Sequence, residues 1–187
     1  MKHYIPILAA TVAFAMGCTR EEPTATGTTS AAQQSGGGTT VMLAQEDRQF
    51  MTTAALGSMF EIMAAQHVEK NASAPEVKEF ARKMIQDHGK ASEELKDFAA
   101  KKGLTLPAQL DADHREDLDE LMKLRGPELD KKYVDTMVDA HEDDVEDFRD
   151  AAEDAKDPAL RAWAGKTLRI LEGHLVEAKR LKETLGD

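Results

Sequence analysis

Apolar residues recur every three or four positions along four long stretches of the chain, and this spacing constrains the fold more than any other feature. The period matches the 3.6 residues per turn of an α-helix. It predicts long helices over residues 46–71, from Pro75 to Gly103, from Pro127 to Asp157, and from Pro158 onward. No stretch alternates apolar and polar residues over the length of a strand, so we predict an all-α domain.

A shorter helix is predicted between the second and third long helices. Asp111 supplies its N-terminal cap, and Gly126-Pro127 follows its last residue, Arg125. Pro75 and Pro158 suit the first turn of the helices that they open, because proline lacks the amide hydrogen that is unpaired there. The predicted fold is therefore a four-helix bundle with one extra short helix.

The first 42 residues have a different composition from the rest of the chain. Residues 1–17 carry Lys2, an apolar run and small residues at the end, which is the layout of an export signal peptide. Residues 18–42 are rich in Thr, Ser, Gly and Gln and lack apolar periodicity, so we predict a disordered tether. The folded domain is predicted to span residues 43–187.

Cys18 is the only cysteine, so no intramolecular disulfide can form. It follows Ala15-Met16-Gly17, which resembles a bacterial lipoprotein processing site. We therefore predict acylation of Cys18, which would tether the protein to a membrane of the cell envelope, with an outer-membrane lipoprotein facing the periplasm as the expected location. Cleavage after Ala15 is the alternative, and it would give a periplasmic protein.

The charge of the chain restricts its partners. Lys and Arg number 24 against 35 Asp and Glu, for a net charge of −11. A chain this acidic repels phosphate backbones, so we expect no nucleic-acid partner. Residues 111–157 hold most of the excess, with 19 acidic and 7 basic side chains. This segment is either a solvated surface or a docking surface for a basic partner or cations; no protein partner can be named.

Each apolar stripe contains one residue that does not suit a plain apolar core. These residues are Glu61, His88, His141 and His174. Counting about 1.5 Å per residue from the helix ends places all four near the middle of the bundle. Because a buried carboxylate or imidazole is costly without a partner, their convergence requires an explanation.

Two interpretations of this cluster are open. One zinc, iron or copper ion would partner all four side chains at once, since imidazole and carboxylate suit these metals. Alternatively, Glu61 accepts hydrogen bonds from the histidines in a polar network without an ion. Asp87 and Glu142 each neighbour one of the histidines in sequence and are predicted to orient an imidazole on an adjacent helix.

The chain resembles the bacterial family called domain of unknown function 4142, whose members are described as outer-membrane or periplasmic proteins with a ferritin-like fold. The matching segments run through residues 46–182. They are Asp47-Arg-Gln-Phe50 with Ala54-Ala55 and Glu61; Val77-Lys-Glu-Phe-Ala81 with Met84-Ile-Gln-Asp87-His88; Leu106-Pro107; Tyr133-Val134 with Met137-Val138-Asp-Ala-His141; and Leu171 with His174-Leu175. The resemblance implies a ferritin-like helical bundle in the envelope.

The chain departs from ferritin-like di-iron sites, which use two Glu-x-x-His pairs. Ile85 and Leu171 stand where two of the carboxylates would be. Our leading hypothesis is therefore a non-enzymatic envelope protein whose core binds one transition-metal ion. A ferritin-like metal-dependent oxidoreductase or metal-storage protein is one alternative. A metal-free interaction or stress protein that uses its acidic surface is another.

Overall fold

The computed structural model describes residues 43–186, which form five α-helices and no strand. The helices are α1 (Gln45–Asn71), α2 (Pro75–Lys101), α3 (Ala112–Lys123), α4 (Gly126–Asp154) and α5 (Pro158–Gly186). The prediction of an all-α bundle of four long helices and one short helix is confirmed. The predicted signal peptide, the tether and Cys18 lie outside the described residues. Within residues 43–186, no helix combines the length and the hydropathy that a transmembrane segment needs.

The helix ends follow the capping signals of the sequence. Asp111 accepts a hydrogen bond from the backbone amide of His114 at 3.0 Å, and Asp157 accepts one from Ala159 at 2.8 Å. Gly103 and Gly126 have φ values of 69° and 61°, a left-handed conformation that glycine adopts without strain. The short helix ends at Lys123, two residues before the predicted end, because Arg125 is extended and precedes α4.

The long helices form a ring in which each packs on two others. The short connections after α1 and α4 make α1 pack along α2 and α4 along α5. These two hairpins contact each other through α1 with α4 and through α2 with α5, while α3 covers α1 and part of α4. One stripe of every long helix therefore faces a common interior.

Two apolar clusters fill this interior at opposite ends of the bundle. One contains Phe80, Tyr133 and Leu181, all at most 1% exposed. The other contains Met51, Leu95 and Leu160. On all four long helices the polar residue that the sequence singled out lies at the boundary between the two clusters. The core thus contains a polar layer at mid-height.

Two buried aspartates join the connections to the helices, and the sequence analysis did not identify either role. Asp47 of α1 accepts hydrogen bonds from the backbone amides of Lys156 and Asp157, both at 2.8 Å. Asp130 of α4 accepts three, from the amide and hydroxyl of Ser73 and from the amide of Ala74. These carboxylates fix both helix–helix turns and so fix the register of the interior stripes.

Candidate metal centre

The structure brings the four predicted residues together. Glu61, His88, His141 and His174 lie on α1, α2, α4 and α5, and none is more than 5% exposed. The three imidazole rings are mutual neighbours, with centroids 5.3 to 5.5 Å apart. One ring nitrogen from each histidine lies within 4.8 Å of the others. Four helices therefore supply one compact, buried group of ligand-type side chains.

Glu61 borders two of the histidines. Its Oε2 lies 2.8 Å from Nδ1 of His88, and its Oε1 lies 3.3 Å from Nδ1 of His141. Neither contact has hydrogen-bond geometry, so both carboxylate oxygens are buried without a hydrogen-bond partner. A carboxylate in this state requires positive charge nearby, since burial of an uncompensated anion costs several kcal/mol.

Oxygen acceptors hold two of the imidazoles in a defined orientation. His141 Nδ1 donates to the carbonyl oxygen of Met137 at 3.0 Å, and His174 Nε2 donates to Asp87 Oδ2 at 2.9 Å. Because a carbonyl and a carboxylate only accept, the hydrogen of each neutral ring is placed on these nitrogens. The lone pairs are therefore on His141 Nε2 and His174 Nδ1, which is the arrangement that outer partners impose on metal-binding histidines.

The unsatisfied polar atoms of the core concentrate at this site. Among residues 43–186, seven buried side-chain nitrogen or oxygen atoms lack a hydrogen-bond partner. Five of the seven are Glu61 Oε1 and Oε2, His88 Nε2, His141 Nε2 and His174 Nδ1. Since more than 90% of buried polar groups in native proteins are paired, this concentration marks the cluster as the place in the core where a water molecule or an ion would find the most free polar atoms.

The pKa values of His141 on α4 and His174 on α5 favour neutral imidazoles at neutral pH, and a neutral imidazole has a nitrogen lone pair that can bind a metal. Burial lowers the pKa of His174 to about 4, although Asp87 acts in the opposite direction. Burial also lowers the pKa of His141. For His88, burial is outweighed by the Glu61 charge, so its pKa is raised. For Glu61, burial is outweighed by His88 and His141, so the carboxyl pKa is lowered and the group is ionised.

The two residues predicted to orient an imidazole differ in their positions. Asp87 lies between α2 and α5 and holds His174. Glu142 lies at the surface, where Lys179 Nζ is 2.6 Å from its Oε1, and it does not contact the cluster. A residue that sequence reasoning missed is Asp144, half-buried one turn after His141. Burial and the charge of Glu61 raise the pKa of Asp144 well above its usual range.

A small cavity of about 20 Å³ lies beside the cluster and is lined by Glu61, His88 and Asp144, together with Thr167 and Trp163. A cavity of this size holds about one water molecule. An organic substrate does not fit there. The arrangement can hold an ion or a single water, and the described residues around it offer nitrogen and carboxylate donors.

The family model of a domain of unknown function (DUF4142) matches residues 31–181 of the chain. A comparison with curated proteins finds no match.

Several solved structures are similar in fold. A DUF305 fragment from Deinococcus radiodurans has a TM-score of 0.66 at 12% identity, covering 78% of this chain and 98% of that one. A DUF305 protein from Streptomyces coelicolor has a TM-score of 0.66 at 13% identity, covering 75% and 94%. CopM in its Cu(I)-bound form has a TM-score of 0.63 at 19% identity, covering 74% and 96%. At these identities the likeness extends to the fold.

Proposed function

The chain belongs to the DUF4142 family, and we propose that its helical bundle binds one transition-metal ion in the polar layer of the core. His88, His141 and His174 provide the nitrogen ligands, and Glu61 provides a negative charge beside them. The observation that carries the proposal is that five buried nitrogen and oxygen atoms of these four residues have no hydrogen-bond partner. One cation would satisfy them together.

The width of the histidine group supports this proposal. Metal–nitrogen bonds of about 2.0 Å place tetrahedral ligand nitrogens about 3.4 Å apart. The nitrogens of the three histidines lie within 4.8 Å of one another. Each imidazole therefore needs to move by only about 1 Å, which a small side-chain rotation provides without a shift of the helices.

Copper is the first ion to test, followed by zinc and iron. Imidazole ligands suit all three metals, and the general order of affinity places Cu(II) above Zn(II) and Fe(II). CopM, which has the same fold, is known in Cu(I)-bound and Cu(II)-bound forms. That observation concerns CopM, and for this chain it only sets the order of the experiments.

The proposed role is binding of the ion without a chemical reaction. The adjoining cavity of about 20 Å³ leaves room for one water and none for an organic substrate. Ile85 and Leu171 occupy positions where a ferritin-like di-iron centre would have glutamates. Metal capture or storage in the cell envelope fits these two observations better than oxidation of a substrate does.

We place this activity outside the cytoplasm, on the basis of the export signal predicted over residues 1–17. The predicted acylation of Cys18 would tether the bundle to a membrane through residues 18–42. Mass spectrometry of the protein from the membrane fraction tests this part separately. A diacylglycerol mass on a chain starting at Cys18 supports it, and a free chain starting at Met16 contradicts it.

The main test is elemental analysis of the purified full chain after growth with copper, zinc and iron. The comparison variants are a His88→Ala/His174→Ala double substitution and His114→Ala. His114 serves as the control because it pairs with Asp111 and lies outside the cluster. We expect about one metal ion per chain in the wild type and in His114→Ala, and none in the double variant.

A metal-free wild type that is fully helical by circular dichroism would refute the proposal. The four side chains would then form a polar network in which Glu61 is partnered by protonated His88.

A further inference from the structure

A groove on the surface of the bundle leads towards the histidine cluster. It lies between α1, α3 and α4 and has a volume of about 480 Å³. Its wall carries five aspartates, four of them on α4. They are Asp117, Asp139, Asp143, Asp144 and Asp147. The groove thus gathers part of the acidic excess of residues 111–157 at one place.

The aspartates of this groove have no direct ion pair with the protein. Within residues 43–186, none of the five aspartates forms a salt bridge or a hydrogen bond through its side chain. Lys132 also lines the groove, but its Nζ lies 3.1 Å from Glu120. Partial burial and repulsion from Asp143 raise the pKa of Asp147. A cation in the groove would relieve this repulsion.

Glu61 connects the groove to the core. It lines the groove although it is only 1% exposed, and neither of its carboxylate oxygens has a hydrogen-bond partner. An almost fully buried carboxylate, whose two oxygens accept no hydrogen bond, therefore lines the inner end of an acidic groove. This observation is independent of the surface aspartates and indicates a positively charged ligand.

Asp144 and Glu61 also line the cavity of about 20 Å³, and His88 forms another part of its wall. They are the two residues common to the groove and to this cavity. Carboxylate oxygens of Asp143 and Asp147 thus lie in the groove, and those of Asp144 and Glu61 lie where the groove and the cavity beside His88 share their lining. These carboxylate oxygens would replace waters of a hydrated cation one at a time.

We propose that this acidic groove is the route by which a metal cation reaches the buried histidines. The inference rests on the proposed function, since it assigns a pathway to the same metal centre. The aspartates at the surface attract the hydrated cation, and Asp144 and Glu61 pass it from oxygen ligands to nitrogen ligands. The three histidines retain it because they bind copper and zinc more strongly than carboxylates do.

Gly57 lines the groove near Asp144 and Glu61 and has no side chain. It lies on α1 one turn before Glu61, and a Cβ built at this position would be 3.9 Å from Asp144 Oδ1. That distance accommodates a methyl group in ordinary contact. A longer side chain at this position would extend into the groove beside Asp144, so Gly57→Leu should obstruct the route without changing any charge.

The test measures the rate of Cu²⁺ uptake by the metal-free full chain in stopped flow. Trp163 is the only tryptophan and lines the cavity next to His88, so quenching of its fluorescence reports arrival of Cu²⁺ at the site. The groove variant is Asp143→Asn/Asp147→Asn. Its matched control is Glu93→Gln/Asp97→Asn, which removes two exposed acids with the same spacing from α2.

We expect the groove variant to take up Cu²⁺ at least fivefold more slowly than the wild type at low ionic strength, and the control to differ by less than twofold. Electrostatic attraction of this kind accelerates association by about 10- to 1,000-fold and is screened by salt. The advantage of the wild type should therefore shrink in 0.5 M salt. Gly57→Leu should be slow at every salt concentration, with unchanged helicity and final stoichiometry.

Two results would overturn the route while leaving the metal centre intact. One is full Cu²⁺ binding with wild-type rates in both the groove variant and Gly57→Leu. The other is an equal loss of rate in the α2 control, which would indicate that the total charge of the protein, and not the groove, sets the rate of Cu²⁺ uptake. Failure of the wild type to bind Cu²⁺, zinc or iron at all would refute the metal centre and the route together.

Discussion

Removal of the Asp87 carboxylate should weaken metal binding, although Asp87 is not itself a proposed metal ligand. Asp87 Oδ2 accepts a hydrogen bond of 2.9 Å from Nε2 of His174, a fully buried ring. Loss of such an outer partner typically lowers metal affinity 10- to 100-fold, or by about 1.4 to 2.8 kcal/mol. We therefore expect a loss in this range for Asp87→Ala and less than a tenfold loss for Asp87→Asn, which keeps an acceptor oxygen.

The assay is competition for Cu²⁺ or Zn²⁺ against a chelator of known affinity at pH 7.5. Protons do not compete at His174 under these conditions, because burial lowers its pKa to about 4. The measured change therefore reports the orientation of the ring and the basicity of its free nitrogen. Circular dichroism of each variant establishes that the bundle is folded.

Glu142→Gln is the matched control, since the sequence predicts the same role for both acids. Its carboxylate pairs with Lys179 at the surface, so we expect an affinity within twofold of the wild type. The reasoning is refuted if Asp87→Ala binds as tightly as the wild type, or if Glu142→Gln loses as much affinity as Asp87→Ala.

Three further outcomes are expected. Free metal at 100 times its dissociation constant should stabilise the wild type by about 2.7 kcal/mol in thermal unfolding, and a similar gain in the His88→Ala/His174→Ala variant would contradict the site. Because the pKa of His174 is about 4 in the folded protein and about 6.5 when unfolded, the unfolded chain binds this proton more readily. In the metal-free protein, His174 should therefore contribute a loss of up to about 3 kcal/mol of unfolding free energy as the pH falls from 6.5 to 4. His174→Gln should reduce this pH dependence in urea titrations, and an unchanged slope would show that the ring is not neutral in the fold. Asp130→Ala should cost about 2 to 4 kcal/mol in urea unfolding, because it leaves the amides of Ser73 and Ala74 without an acceptor; a loss below 1 kcal/mol would mean that water replaces the carboxylate.

The sequence predicts the helices well because their signals are local. The spacing of apolar residues predicts the buried stripes of the long helices, and the capping residues predict their ends within three residues. The same helical geometry predicts that Glu61, His88, His141 and His174 occur at one level, since a constant rise per residue converts position in the sequence into height. Their proposed metal ligation remains a prediction.

Only the tertiary structure separates Asp87 from Glu142. Each lies one residue, or about 100° of helical rotation, away from a histidine of the cluster, but in opposite senses. On α2 that rotation points Asp87 towards His174 of α5. On α4 it points Glu142 outward, towards Lys179 at the surface. The helical period gives the buried face of each helix but not the neighbour that lies beside that face.

The groove and the buried aspartates also depend on the packing of several helices. Asp144 lies one turn after His141, and in the sequence nothing distinguishes it from the other acids of a charged segment. Its position becomes specific only because α1 and α3 pack against α4 and leave a groove that both Asp144 and Glu61 line. Asp47 has its role only because a turn 109 residues later in the chain supplies amides to it. The sequence by itself therefore determines which side chains face the core and at what height. The tertiary structure decides which of them meet, because those contacts join residues that are distant along the chain.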